Sequence, residues 1–314
     1  MDQKKSGWLY LVVMVSVIVG HFGLAYMRLK VPGFTLSTPL VLSVGEIFVL
    51  FALIFFMTVS RTDLRDVFRI RKVKLTTLLL VIPFTYLMMP LMAACNALTM
   101  LFTKNVVADL QGTIIQERFW VVFFIVAVFG PFVEEATFRG AIYSGFRKSR
   151  RLRAAILIQA LMFGLFHMNL NQFLYAFVLG IFFGVLSEIT NSIIPSFVGH
   201  LIVNGSTVYT MYTAADILPQ TDEYSLSKFQ ILIVFFIYVG ISLITTFIAV
   251  NILKVIAMNE RSSGGADRWN AIFRCQPIYE IDGRGIRIDA QIKIMSIPSV
   301  IAMVLAAVCI VIRL

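Results

Sequence analysis

Charge is scarce in this chain. Of its 314 residues only 14% are Asp, Glu, Lys or Arg, against 59% hydrophobic, and the mean hydropathy is +0.88. A soluble domain carries about 25% charged residues, so the composition excludes a water-soluble globule and describes an integral membrane protein. Cysteine is nearly missing: Cys95, Cys275 and Cys309 form no CxxC pair. That excludes a disulfide framework and a thiolate zinc site. Only three histidines occur, His21, His167 and His200. There is no internal repeat, no low-complexity tract and no HExxH sequence. The net charge of +10 does not mark a nucleic-acid binder, because the basic residues fall in alternate loops, as membrane topology requires.

What is present is a series of long apolar runs. A span needs roughly 20 apolar residues. Candidates cover about 7–27, 40–60, 76–102, 119–146, 154–168, 171–187, 193–212, 229–253 and 296–312. The expected fold is all-α, a polytopic transmembrane helical bundle of eight or nine spans. The fifth and sixth runs are short and joined by Met168-Asn169-Leu170, so a re-entrant hairpin is the alternative there. The first run, Leu9 to Met27, is long for a signal peptide and lacks a small-x-small cleavage site. It is expected as a retained span.

Lys and Arg give the orientation. Lys4 and Lys5, the stretch Arg61 to Lys74, the stretch Arg147 to Arg153, and the stretch Lys254 to Lys293 all fall on one side. The other side holds only Arg28, Lys30, Lys104, Arg118, Lys228 and Arg313. The bias predicts a cytoplasmic N-terminus and an outside C-terminus. The Arg147–Arg153 run reads as a topology anchor facing anionic lipid.

Four regions follow: 1–74, two N-terminal spans with a basic cytoplasmic loop; 75–255, a core; 256–295, a polar cytoplasmic segment; and 296–314, a C-terminal span. In the polar segment Ser262-Ser-Gly-Gly-Ala266 reads as a linker. Residues 279–289 alternate polar and apolar around Asp282-Gly283, the pattern of a small β-hairpin.

The chemistry lies in the charges that remain inside apolar runs. Glu134 and Glu135 follow Gly130-Pro131 in the fourth run, with Arg139 four residues after the second glutamate. Ionisable groups at mid-membrane cost roughly 2.5–3.5 kcal/mol each on insertion scales. Glu135 and Arg139 have the favourable i,i+4 ion-pair spacing. Glu134 lies about 100° away around the helix, so one carboxylate is neutralised and the other is left for general-base work. Pro131 cannot bond back to the Ala127 carbonyl, and that carbonyl needs a protein or water partner. In later runs His167 lies four residues after Phe163, and His200 four residues before Asn204. Counted from the flanking inner loops, Glu134, His167, His200 and Asn204 all sit roughly 13–21 Å deep at 1.5 Å per residue. Gly164, Gly180, Gly184 and Gly199 would permit close helix approach.

Glu134-Glu-Ala-Thr-Phe-Arg139 resembles the EExxxR motif of the CPBP intramembrane proteases, the CAAX protease and bacteriocin-processing (Abi) family. Phe163-Gly-Leu-Phe-His167 resembles its FxxxH motif, and His200-Leu-Ile-Val-Asn204 its HxxxN motif. The resemblance covers about 75–255. It implies an intramembrane endopeptidase that hydrolyses a peptide bond in a membrane-associated or lipidated substrate. Glu134 would activate water. His167, His200 and Asn204 would hold the water, the oxyanion or a metal, and Arg139 would hold Glu135. The family's metalloprotease label implies a divalent ion such as zinc on Glu134, His167, His200 and Asn204. Asn is a poor zinc ligand, and a metal-free site with Glu134 as base and His/Asn donors as oxyanion hole is equally open.

Plainer readings stand beside these. Glu134, Glu135 and Arg139 also describe a buried ion cluster that fixes packing, and Asn204 a cross-helix hydrogen bond. His21 and Glu46 lie in runs without a motif and are taken as structural, Phe163 as packing, and the many Phe residues as lipid-facing bulk. Other functions are a non-proteolytic scaffold, self-immunity against a bacteriocin, or a proton-coupled transporter, the last disfavoured by the lack of an inverted repeat. Expected partners are a peptide or protein substrate, lipidated or a peptide precursor, and membrane lipid, with no nucleic acid. The expected site is a polar cavity opening to the cytoplasm of a prokaryotic plasma membrane.

Overall fold

The structure is a computed structural model describing residues 1–63, 67–148, 151–214, 226–274 and 295–313. Ten principal helices carry the fold: α1 (Gln3–Lys30), α2 (Thr38–Val59), α3 (Leu75–Met100), α4 (Phe119–Arg147), α5 (Leu152–Phe166), α6 (Leu170–Thr190), α7 (Ile194–Ala214), α8 (Lys228–Asn259), α9 (Gly265–Phe273) and α10 (Ile297–Arg313). No strand occurs among the described residues. Each of the nine apolar runs is a helix. Six of them, α1, α2, α3, α4, α6 and α8, are long and apolar enough to cross a membrane by length and composition. The hairpin expected at 279–289 and Cys275 lie outside the described residues.

Helix ends follow local chemistry. Asp2 caps α1 by accepting from the Lys5 N–H at 2.8 Å. Asn169 caps α6 by accepting from the Gln172 N–H at 2.8 Å. Between α6 and α7 the chain turns in three residues. Asn191 takes φ 51°, ψ 33°, a left-handed conformation that asparagine tolerates better than most residues. This tight reversal brings α7 back antiparallel to α6.

α8 packs along α3, α5 and α6 pair as a hairpin, and α1 is held between α2 and α10. The close approach expected of the glycines is present where α5 meets α6. A Cβ on Gly180 would lie 2.8 Å from Ala160 Cα, and Gln159 Nε2 donates to the Gly180 carbonyl at 2.7 Å. One face of the bundle is left apolar and exposed, with Phe229, Phe236, Leu243 and Phe247 of α8 all well over half exposed. That is the surface lipid would cover.

The described part of the polar segment packs against the bundle. α9 docks against α6 and α8. Its Arg268 joins a buried cluster around Glu188, the last acidic residue of α6. The Glu188 carboxylate is 0% exposed and lies 2.6 Å from Arg147 Nε, 3.3 Å from Arg69 Nη1 and 3.5 Å from Arg268 Nε. Burial pulls the Arg69 guanidinium down to about 10, and the neighbouring Glu188 opposes that shift. Arg69 also donates to the backbone carbonyl of Arg139 at 3.1 Å. The basic loop after α2 is thereby tied to the middle of α4.

Candidate active site

α4 is not a regular helix. Two π-helical segments, Phe124–Phe129 and Ala136–Ile142, bracket the α-helical turn Gly130–Glu135 that carries the glutamates. π-turns are rare and often mark functional sites. The first has an identifiable cause. The Gly130 N–H bonds to the Ile125 carbonyl, five residues back. The next rung would run from residue 131 to Val126, but Pro131 has no N–H. The orphan carbonyl is therefore that of Val126, one residue earlier than α-helical counting places it. Asn204 of α7 satisfies it, with Nδ2 donating at 2.9 Å. The asparagine's Oδ1 is left free of this bond.

α7 also delivers His200. Its Nδ1 lies 3.1 Å from Glu135 Oε1, and its Nε2 lies 3.5 Å from Glu134 Oε2. Glu135 Oε1 is in turn 3.0 Å from Arg139 Nη1, both side chains being 0% exposed. With Nδ1 donating to the paired carboxylate, the ring turns Nε2 toward Glu134. The imidazole therefore joins the two carboxylates of the pair and assigns them different surroundings: Glu135 between a guanidinium and Nδ1, Glu134 facing Nε2 with no cation pressed against it. The i,i+4 pair expected from spacing is present.

Phe163 organises the rest. The Arg139 guanidinium stacks 4.1 Å over its ring. The same ring stands edge-on to His167 at 5.2 Å and to His200 at 5.9 Å. His167, the C-cap of α5, packs against the same ring, within electrostatic range of His200 and Arg139. Phe163 is packing, as expected, while Phe138 and Phe183, counted with the lipid-facing bulk, are buried in the site instead: Phe183 lies against Arg139 and His200, and Phe138 backs Phe163.

α4, α5 and α7 thus gather the three motifs around one point. Residues 116–206 match the family described as type II CAAX prenyl endopeptidase, Rce1-like. Over that segment the chain is similar to this family. No curated protein and no solved structure matches it. The matched segment holds all six motif residues, Glu134, Glu135, Arg139, His167, His200 and Asn204. It is shorter than the 75–255 core that the motifs suggested.

Within the matched segment the donor set is too sparse for a metal centre. A catalytic zinc takes three protein ligands. Among the described residues no three His, Cys, Asp or Glu side chains lie together as a metal-binding group. Glu134 and His200 are adjacent, and His167 and His200 each lie edge-on to the Phe163 ring. The side chains as arranged do not fit a zinc site, and no step below is routed through a metal.

A cavity of about 490 Å³ runs along α2 and the adjoining face of α4, lined by Leu53, Met57, Phe132, Val133 and Ala136 among others. Thr58, Arg61 and Thr62 give it a polar end at the close of α2. The expected cavity was polar; this one is mainly apolar. It passes beside the residues that flank the Glu134–Glu135 pair.

One residue of the site was missed by sequence reasoning. Glu46 of α2, taken as structural, packs over Gly130, one turn before Glu134, within electrostatic range of the Glu134 carboxyl. Its signal was only that of a lone carboxyl in an apolar run. Glu188 was missed in the same way and serves the basic cluster instead.

Proposed function

We propose that the chain is an intramembrane endopeptidase using glutamate-activated water. The observation that carries this is the 3.5 Å approach of His200 Nε2 to Glu134 Oε2, with Nδ1 of the same ring held by Glu135. Water bound beside Glu134 gives a proton to its carboxylate as the water oxygen bonds to the scissile carbonyl carbon. The carbonyl electrons move to oxygen. The Asn204 amide, with His167 at the rim, stabilises that oxyanion, and His200 Nε2, left an acceptor while Nδ1 donates to Glu135, accepts from the water and orients it. Collapse breaks the C–N bond, and the proton held by Glu134 passes to the leaving amine. Glu135 and Arg139 touch no substrate; they fix the His200 ring and its tautomer.

In this reading the substrate is a membrane-associated chain, lipidated or a peptide precursor, whose apolar part lies along the α2–α4 cavity. The enzyme sits in a prokaryotic plasma membrane with its N-terminus inside and its C-terminus outside, as the Lys and Arg distribution supports. The deciding experiment is peptidomics of cells carrying wild type or Glu134→Gln. Peptides released only with wild type, at equal protein abundance, support the reading; identical peptide sets sink it.

A further inference from the structure

The chain leaves α2 through a Schellman motif. The Thr62 N–H donates to the Met57 carbonyl and the Arg61 N–H to the Thr58 carbonyl, each at 3.2 Å. Arg61 fills the position after the C-cap Ser60, with φ 47°. Glycine is the usual residue there, because a Cβ is strained in the left-handed region. An arginine therefore sits where the backbone would be easier without a side chain.

Arg61 also lines the polar end of the cavity of about 490 Å³ between α2 and α4. It is exposed and pairs with no carboxylate among the described residues. Lys5 of α1 brings a second cation to the same turn, its Nζ donating to the Ser60 carbonyl at 3.1 Å. The Ser60 and Thr62 hydroxyls meet there at 2.7 Å. Two cations and two hydroxyls on one turn suit an anionic headgroup at a membrane surface.

Apart from Thr58, Arg61 and Thr62 the cavity wall is apolar. The Thr58 hydroxyl donates to the Ile54 carbonyl of its own helix at 2.9 Å. A peptide in the deep part would leave its amides unpaired, which is costly away from water. An acyl chain has none to pair. Ile54 of α2 and Phe132 of α4 line the cavity and are each about half exposed, so the cleft opens sideways between the two helices. From Leu50 to Arg61 the α2 wall is about 16 Å long, close to one leaflet of a hydrocarbon core about 30 Å thick.

We propose that this cleft holds one phospholipid with an anionic headgroup. Its phosphate lies at Arg61 and Lys5, and an acyl chain runs along Leu53, Met57 and Val133. The lipid occupies the room that the peptidase reading gives to the substrate's apolar part, so substrate displaces it. The binding itself does not depend on that reading.

The test releases full-length protein from nanodiscs of equal phosphatidylglycerol and phosphatidylcholine with matched chains, and counts the retained lipid by native mass spectrometry. Wild type is expected to keep one phosphatidylglycerol, favoured about fivefold or more over phosphatidylcholine, the worth of one basic residue at an anionic surface. Arg61→Gly and Arg61→Asn both suit the left-handed backbone and should lose that preference. In phosphatidylcholine alone Arg61→Gly should melt no lower than wild type, since glycine relieves the strain. Added phosphatidylglycerol should raise the wild-type Tm and leave that of Arg61→Gly unchanged. Ile54→Trp fills the cleft and should lose the lipid with Arg61 in place. Glu134→Gln should retain it as wild type does, which separates this result from the fate of the peptidase reading. Equal retention of both lipids by wild type, undiminished preference in both Arg61 variants, or full retention by Ile54→Trp overturns the proposal. So does an equal loss of Glu134-dependent peptide release by Arg61→Gly in both bilayers, which would make Arg61 a reader of the substrate's own charge.

Discussion

Asn204 of α7 donates to the Val126 carbonyl of α4 at 2.9 Å, and that carbonyl is the rung the π register assigns to Pro131. A missing N–H on one helix is answered by an amide from another. The bond fixes α7 against α4 at the level of Glu134, and with it the position of His200 one turn away.

This relationship yields a double-mutant cycle. Pro131→Ala restores an N–H that can serve Val126, so Asn204 is no longer needed as its partner. Asn204→Ala should therefore destabilise the wild type by about 1–2 kcal/mol, the upper range for interhelical hydrogen bonds in membranes. It should cost clearly less in the Pro131→Ala background. Unfolding of the four proteins in detergent measures it; additive effects would show that Asn204 does not serve this carbonyl.

Glu134→Gln keeps shape and removes the base. Cleavage should drop by about 10²–10⁴-fold, the usual contribution of a positioned general base, with normal abundance and thermal stability. A variant that cleaves at the wild-type rate removes Glu134 from the chemistry.

Arg139→Lys retains charge but loses the planar fork toward Glu135 and the stack on Phe163 at 4.1 Å. A loss of about 2 kcal/mol is expected for a desolvated cation–π contact. Phe163→Leu should remove a similar amount, and the two losses should not add. Thermal scans of both single variants and the double variant decide this.

Glu188→Gln leaves Arg69, Arg147 and Arg268 facing one another without their shared carboxylate. Removing one partner from a buried ion cluster costs about 3–5 kcal/mol. The first change should be release of α9, seen as faster proteolysis near Arg268 in intact membranes. Unchanged proteolysis and an unchanged Tm would contradict this account of the cluster.

Two adjacent donors make a poor zinc site, so activity should survive 1,10-phenanthroline and dialysis. Inhibition reversed by added zinc, together with stoichiometric metal in the purified protein, would overturn that expectation and recruit His167 or Asn204 as further ligands.

The sequence by itself determined that this chain is helical and lives in a membrane, because apolar runs of span length leave few other ways to satisfy the backbone. It also determined the Glu135–Arg139 pair, since i,i+4 neighbours on one helix meet whatever packs around them. It named the six motif residues through their spacing within single helices. It misplaced the orphan carbonyl by one residue, because a π-turn is set by what packs against α4 and leaves no mark in the apolar pattern. Only the tertiary structure brought Glu46 over Gly130 and three arginines to Glu188. Those partners lie dozens of residues apart, and a lone charge in an apolar run does not say which helix it will face.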